Sequence, residues 1–394
     1  MKIICATNMP FAAEAFGTLG ETLILEGRDI VAGNVRDADL LALRSTTKVN
    51  RGLLEGSRVR FVGTATIGTD HLDISYLEEV GIRWCYAPGC NANSVSEYVT
   101  SALLRTGRKH GIRLAGKTMG IIGVGNVGSR VAVKARALGM RVLLNDPPRE
   151  REVLAGRAVR AGLEPGPFAS LDRILDEADI VTLHVPLTKE GEDRTLHMVD
   201  EAFLGRLRKG CLFLNAARGA VVKSDALAAM VRSGKLGPVV MDTWEGEPAV
   251  RPELVPLAEI ATPHIAGHSF EGKVMGTVMV YREACRFLGV QPFWAHEPLM
   301  PPPIVPEIRV EAAGREDEAI LWEVVSRVYD IGEDDRRFRD SMVLPEAARV
   351  REFDRQRKDY PERREFRYSK VFVRNGSATL ITALEALGFP CVRE

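Results

Sequence analysis

The chain has 394 residues, 45% of them hydrophobic and 27% charged, and its 53 basic and 53 acidic side chains cancel. That size supports two or three hydrophobic cores, and the balanced charge weighs against nucleic acid or an anionic membrane surface as a partner. No apolar run approaches the roughly 20 residues of a membrane span. The first eight residues lack a signal-peptide pattern, and the six scattered cysteines form no Cys-x-x-Cys pair, so neither a disulfide framework nor a metal site is indicated. A cytoplasmic protein is expected.

Residues 2–6 read as a short apolar strand, closed by Asn8-Met9-Pro10, where a proline can open a helix. Residues 60–64 and 82–85 read as two more strands with helical stretches between them, an alternation that points to a parallel sheet covered by helices. A long helix is predicted over 94–110. The series then restarts with strands at 119–123, 141–145, 180–184, 211–215, 239–241 and 259–261, and with helices at 127–138, 170–175 and 225–231. Six strands with intervening helices are the content of a doubly wound dinucleotide domain. Prolines at 298, 301, 302, 303 and 306 mark a boundary. Beyond it Ile320, Leu321, Val324, Val325, Val328 and Tyr329 share one helical face. A strand at 370–373, a helix at 378–387 and a strand at 390–393 complete a small α+β domain.

Gly123, Gly125 and Gly128 form a G-x-G-x-x-G between a predicted strand and a predicted helix, and Asp146 ends the next strand. Gly123 permits a tight turn, Gly125 lets a diphosphate approach the backbone, and Gly128 lets the helix pack close to the sheet. The helix start, with Asn126 and Val127, offers unpaired N–H groups and a partial positive charge to the phosphates. Asp146 would accept hydrogen bonds from ribose hydroxyls and repel a 2′-phosphate, so NAD is expected rather than NADP; Arg149 and Arg151 nearby pull the other way.

Three later segments carry polar residues at the ends of predicted strands: 215–219 with Arg218, 241–248 with Asp242 and Glu247, and 262–267 with His264. In an open α/β sheet, ligands bind where these ends lie. An imidazole can take a hydroxyl proton while a hydride leaves for a nicotinamide, a carboxylate can orient that imidazole, and a guanidinium can grip a substrate carboxylate with paired donors.

On G-x-G-N-V-G, N-A-A-R-G, D-T-W-E-G-E-P and T-P-H-I-A-G, the chain resembles the D-2-hydroxyacid dehydrogenase family. A nearer likeness, to the branch that oxidises 4-phospho-D-erythronate at C2 on a bacterial route to pyridoxal phosphate, rests on segments 44–50, 61–71, 87–92 and 146–148 and on Tyr360-Pro361-Glu362-Arg363-Arg364-Glu365. The resemblance implies a substrate-orienting Arg218, a Glu247 that partners the histidine, and His264 as proton acceptor or donor. It implies that Asp242 and Gly267 lie toward the nicotinamide, and that Ser45 and Thr66 contact substrate. His268 stands where that branch usually has a substrate-touching tyrosine, and Val185 where a threonine is common.

A 4-phosphate needs cations. Arg44 beside Ser45 is one candidate, and the basic stretch 349–370 offers another, Arg357, expected to reach the active site of a neighbouring copy. The expected organisation is two Rossmann-like doubly wound lobes plus a small C-terminal α+β dimerisation domain. Residues 1–94 with 268–295 would bind substrate, 95–267 would bind NAD, and 296–394 would pair two copies into a homodimer. The segments 94–110 and 272–288 would cross between the lobes as hinges. The alternatives are the same chemistry on another acid, such as 3-phosphoglycerate, or an NAD(H)-sensing binding protein.

Overall fold

In the computed structural model, which describes residues 1–157, 159–160 and 162–394, short apolar runs build parallel sheets in each of two units. The first unit comprises Met1–Asn91 and Ser269–Pro302. Its strands β1 (Lys2–Ala6), β2 (Glu21–Leu25), β3 (Leu40–Leu43), β4 (Phe61–Thr64) and β5 (Arg83–Tyr86) are parallel and ordered β2-β1-β3-β4-β5. Neither β2 nor β3 was predicted. β3 is Leu-Leu-Ala-Leu, buried throughout, and a four-residue apolar run without alternation does not distinguish a strand covered on both faces from a turn of buried helix. The helix Phe270–Leu288 covers one face, where Val280, Tyr281, Ala284 and Cys285 pack with Ile3, Phe61 and Ala65. Strand order reverses between β1 and β3, so the crevice beyond their carboxyl ends is the natural ligand position of this sheet. Arg44 and Ser45 follow β3 directly.

The second unit comprises Ala92–His268 and Pro303–Glu394. Its larger sheet contains β6 (Thr118–Ile122), β7 (Arg141–Asn145), β8 (Ile180–Leu183), β9 (Cys211–Asn215), β10 (Leu236–Met241) and β11 (Ile260–Ala261), all parallel and ordered β11-β10-β9-β8-β6-β7. The order reverses between β6 and β8. That reversal sets the glycine turn after β6 at the ligand crevice.

The C-terminal part adds β12 (Glu307–Glu311), β13 (Lys370–Arg374) and β14 (Cys391–Arg393), parallel in that order. Beyond Pro303 the chain shares one core with the dinucleotide sheet: Ile308, Ile320, Val324 and Leu384 pack in the same cluster as Val99, Leu103, Met119 and Leu212. The helix Ala92–His110 makes this possible because it is buried along most of its length; it lies within the second unit, as Phe270–Leu288 lies within the first. β12 was not predicted, although its alternation is plain: Ile308 and Val310 are buried and the three residues around them exposed. The helices Ile331–Asp340 and Glu346–Lys358 were also not predicted, being mostly charged with few apolar anchors.

Candidate active site

The glycine turn has the shape a dinucleotide diphosphate needs. Gly123 adopts φ +87°, and a Cβ there would meet the His184 backbone at 2.6 Å. At Gly128 a Cβ would lie 2.0 Å from the Gly123 carbonyl oxygen, so the helix start and the turn touch. Nothing lies within 4 Å of a Cβ at Gly125, which leaves its outer side open. Gly125 also precedes the helix Asn126–Ala137, whose first turn has no side-chain cap, so Asn126 and Val127 stand where an anion is favoured.

Asp146 Oδ2 accepts the Val124 N–H at 2.8 Å and Oδ1 accepts the Arg149 N–H at 3.1 Å, fixing the carboxylate against the turn. Each oxygen keeps acceptor capacity for a ribose hydroxyl. Arg149 donates to the Val124 and Glu164 carbonyls, and Arg151 pairs with Asp193 and Glu192. Both arginines are thus engaged within the chain, which removes the main counterweight to NAD. His184, read from sequence as structural or exposed, follows β8 at the topological switch. Its Nε2 pairs with Thr182 Oγ1 at 3.0 Å, while Nδ1 is buried without a partner. Burial pushes its pKa down to about 3, so the ring is neutral. Its place at the carboxyl end of a central strand was the signal available for it.

The three polar segments are tied together at the carboxyl ends of β9, β10 and β11. Asn215 Oδ1 accepts the Ala217 N–H at 3.0 Å and its Nδ2 donates to the Arg218 carbonyl at 3.1 Å, shaping the turn that carries Arg218. Gly219 presses on the next segment, for a Cβ there would lie 2.0 Å from the Trp244 carbonyl. Trp244 Nε1 in turn donates to the Thr262 carbonyl at 2.9 Å. Asp242, 1% exposed, gives both carboxylate oxygens to the third segment: Oδ1 accepts from Thr262 Oγ1 (2.6 Å) and Ile265 N (2.8 Å), and Oδ2 from Ala266 N (3.0 Å). Burial raises its pKa against the pull of His264 and these bonds. Asp242, expected toward the nicotinamide, therefore holds the loop that carries His264.

His264 sits in left-handed backbone, φ +57°, with its N–H on the Asp242 carbonyl at 2.7 Å. Its Nδ1 lies 2.5 Å from Glu247 Oε1, and Glu247 Oε2 accepts the Trp244 N–H at 3.0 Å. Burial works against the Glu247 carboxylate, but the charge and hydrogen bond of His264, the Trp244 N–H and the Arg357 charge outweigh it and lower its pKa. An ionised carboxylate only accepts. Nδ1 must therefore carry a proton, and Nε2 is the ring nitrogen left to face a substrate hydroxyl.

Arg357, expected to reach a neighbouring copy, stands close enough to Glu247 of its own chain to stabilise that carboxylate. The reason lies in one apolar residue of its helix. Phe353 packs on Phe338 (centroids 6.0 Å apart), and Phe338 packs on Trp244 (5.8 Å), anchoring the helix near residues 242–248. The Arg357 guanidinium lies 5.7 Å from the Phe353 ring, and its Nε is buried without a hydrogen-bond partner. Arg363, missed as a site residue, stacks on Tyr329 at 3.9 Å and donates to the carbonyls of Ala266 (3.2 Å) and Ser94, bracing the segment that runs into Gly267. His268 meets Tyr360 edge-on, 5.6 Å between centroids.

In the first unit, Arg44 Nη1 donates to the Ala65 carbonyl at 2.9 Å, and Ser45 lies in the exposed turn after β3. Thr66 Oγ1 donates to the Gly68 carbonyl and pairs with Thr64 Oγ1, both at 2.8 Å, and Thr64 Oγ1 pairs with His71 Nε2 at 2.9 Å. Among the described residues no group of His, Cys, Asp and Glu could hold a metal ion.

An imidazole held by a carboxylate and set in the same sheet as a diphosphate turn is equipment for moving a proton as a hydride passes to and from a nicotinamide. The protein is an NAD-dependent dehydrogenase. Residues 91–266 match the model for the D-isomer specific 2-hydroxyacid dehydrogenase NAD binding domain, and residues 299–388 match one described as a domain of unknown function (DUF3410). Erythronate-4-phosphate dehydrogenase of Cronobacter sakazakii is 45% identical over 389 residues, which cover 99% of this chain and 98% of that one. The Citrobacter koseri enzyme of the same name is 44% identical over 393 residues, 100% of this chain and 99% of its own. The chain belongs to the erythronate-4-phosphate dehydrogenase family, within the D-2-hydroxyacid dehydrogenases. Among solved structures, D-lactate dehydrogenase from Aquifex aeolicus, complexed with NAD and lactic acid, is 26% identical with a TM-score of 0.59, covering 73% of this chain and 95% of that one.

Proposed function

We propose that the chain oxidises 4-phospho-D-erythronate at C2 to 3-hydroxy-2-oxo-4-phosphobutanoate, reducing NAD, on the route to pyridoxal 5′-phosphate. The substrate follows from family membership across the whole chain. The observation that carries the chemistry is the His264–Glu247 pair, with Nδ1 held at 2.5 Å.

NAD supplies the hydride acceptor when bound. Gly123, Gly125, Asn126, Val127 and Gly128 would cradle its diphosphate, Asp146 would take the ribose hydroxyls, and Gly267 would allow close approach of the nicotinamide. His264 Nε2 takes the C2 hydroxyl proton as the C–H electron pair leaves. The Glu247 carboxylate then holds the imidazolium by charge and hydrogen bond. Arg218 orients the substrate carboxylate through paired donors, and Asp242 keeps the His264 loop in place. Arg44, Ser45, Thr66 and His268 contact the substrate. Arg357 adds positive charge near Glu247 in its own chain.

The accompanying assignments are a substrate-binding part at 1–94 and 268–295, an NAD-binding part at 95–267, and pairing of two copies through 296–394 in the cytoplasm. No described helix is long and apolar enough to cross a membrane, which is compatible with that location. Sedimentation of the full chain tests the pairing. NADH formation with 4-phospho-D-erythronate, 3-phospho-D-glycerate, D-erythronate and D-lactate tests the reaction. The first should give by far the highest kcat/KM; a preference for any other acid overturns the substrate assignment.

A further inference from the structure

The first unit carries another cation next to Arg44. Lys273 lies in the first turn of the helix Phe270–Leu288. One turn later, Gly276 packs so closely on Ala65 that a Cβ there would come within 2.9 Å of the Ala65 carbonyl oxygen. The same oxygen accepts the Arg44 Nη1–H at 2.9 Å. Helical residues three apart share a face with Cβ atoms about 5–6 Å apart, and helical side chains lean toward the N-terminus. The Lys273 stem therefore starts one helical turn from the Ala65 carbonyl that Arg44 holds, on the side of the sheet where β3 and β4 end, and the Arg44 charge reaches its ammonium.

Lys273 is partly buried, and among the described residues no carboxylate pairs with its ammonium. Burial, and then the positive charge of Arg44, bring its pKa down to about 8. His71 lies in the same field: burial, joined by the Arg44 charge and opposed by Asp70, pushes its pKa to about 4. An ammonium drawn partly out of water beside a second cation favours an anion at its side. A phosphate monoester dianion supplies both the charge and the acceptors for a guanidinium fork, an ammonium and a hydroxyl.

We propose that Lys273 and Arg44, with the Ser45 hydroxyl, bind the phosphate group of the substrate, and that Lys273 is the residue by which the enzyme distinguishes a phosphorylated from an unphosphorylated hydroxy acid. This rests on the proposed reaction only in naming the phosphate's carrier. The test is Lys273→Met and Lys273→Arg in the full chain. With 4-phospho-D-erythronate, Lys273→Met should raise KM about 10–100-fold, the loss of one charge-assisted contact, and leave kcat within about threefold. KM for unphosphorylated D-erythronate should not change, and Lys273→Arg should recover most of the lost affinity. An equal KM rise for both acids, or no rise for either, overturns the proposal. Binding of inorganic phosphate, followed by calorimetry, should be present in the wild type and at least tenfold weaker in Lys273→Met; equal binding to both also overturns it. Should the wild type oxidise no phosphorylated acid but lose phosphate binding on Lys273→Met, the proposed reaction falls and the phosphate site stands.

Discussion

Replacing Glu247 by glutamine changes one atom and separates the two tasks of that side chain. Each carboxylate oxygen accepts one hydrogen bond, Oε1 from His264 Nδ1 at 2.5 Å and Oε2 from Trp244 N at 3.0 Å. An amide has one acceptor oxygen and one donor nitrogen. If the glutamine keeps its oxygen on the Trp244 N–H, its NH2 faces His264 Nδ1. The imidazole must then carry its proton on Nε2, the nitrogen that should receive one. If the amide flips, the backbone N–H of a buried loop loses its acceptor, at about 1–3 kcal/mol. Trp244 is 3% exposed and its backbone also touches the Gly219 turn, so the first arrangement should dominate. The expected result is a kcat about 10²–10⁴-fold lower, the range lost with a general base, or about 3–5 kcal/mol at 1.36 kcal/mol per decade. The NAD dissociation constant should stay within about twofold, because Glu247 lies outside the glycine turn. Steady-state NADH absorbance and NAD calorimetry on the same preparation give both numbers. A variant with intact NAD affinity and a kcat within threefold of wild type would refute the assigned tautomer, and with it the role of Glu247.

At Gly128 an alanine Cβ would fall 2.0 Å from the Gly123 carbonyl oxygen, so Gly128→Ala must push the helix from the turn; NAD affinity should drop at least tenfold, and unchanged affinity would sever the turn from the cofactor. Buried Glu97 has its pKa raised to about 8, by burial first and then by the Glu365 charge, against Lys134 and Arg363. Between the ordinary value of 4.5 and about 8, the folded chain keeps a proton that the unfolded chain releases, so this contribution is complete below the window and is lost as pH rises through it. Glu97→Gln should therefore flatten the decline of stability with pH by up to about 1.4 kcal/mol per pH unit, measured as urea midpoints across the window; an unaltered slope would assign the proton elsewhere.

Where a residue's chemistry depends on its neighbours in sequence, the site was legible. Gly123, Gly125 and Gly128 fall in one turn, and Arg218, Glu247 and His264 each follow a strand of a parallel sheet, so alternation of strands and helices sufficed to bring them to one edge. What escaped depended on contacts distant in sequence. Lys273 reads as an ordinary helical lysine until Gly276 is seen against Ala65, more than 200 residues earlier in the chain. Arg357 reads as a cation for a neighbouring copy and Arg363 as one more residue of the same basic stretch, yet Phe353 and Tyr329 anchor them near the polar loops of their own chain. The strand β3 was hidden by uniform burial, since a short run with no exposed face has no period to read.

In the proposed reaction a hydride passes from C2 of the phosphorylated hydroxy acid while the His264 imidazole takes the hydroxyl proton. A single turnover of the full chain with NAD and 4-phospho-D-erythronate carrying deuterium at C2 tests it most directly, with the reduced cofactor analysed by mass spectrometry. Each molecule of reduced cofactor should carry one deuterium in the nicotinamide ring, and His264→Asn, still binding NAD, should form it far more slowly. Reduced cofactor without deuterium, or equal rates in the two proteins, would contradict it.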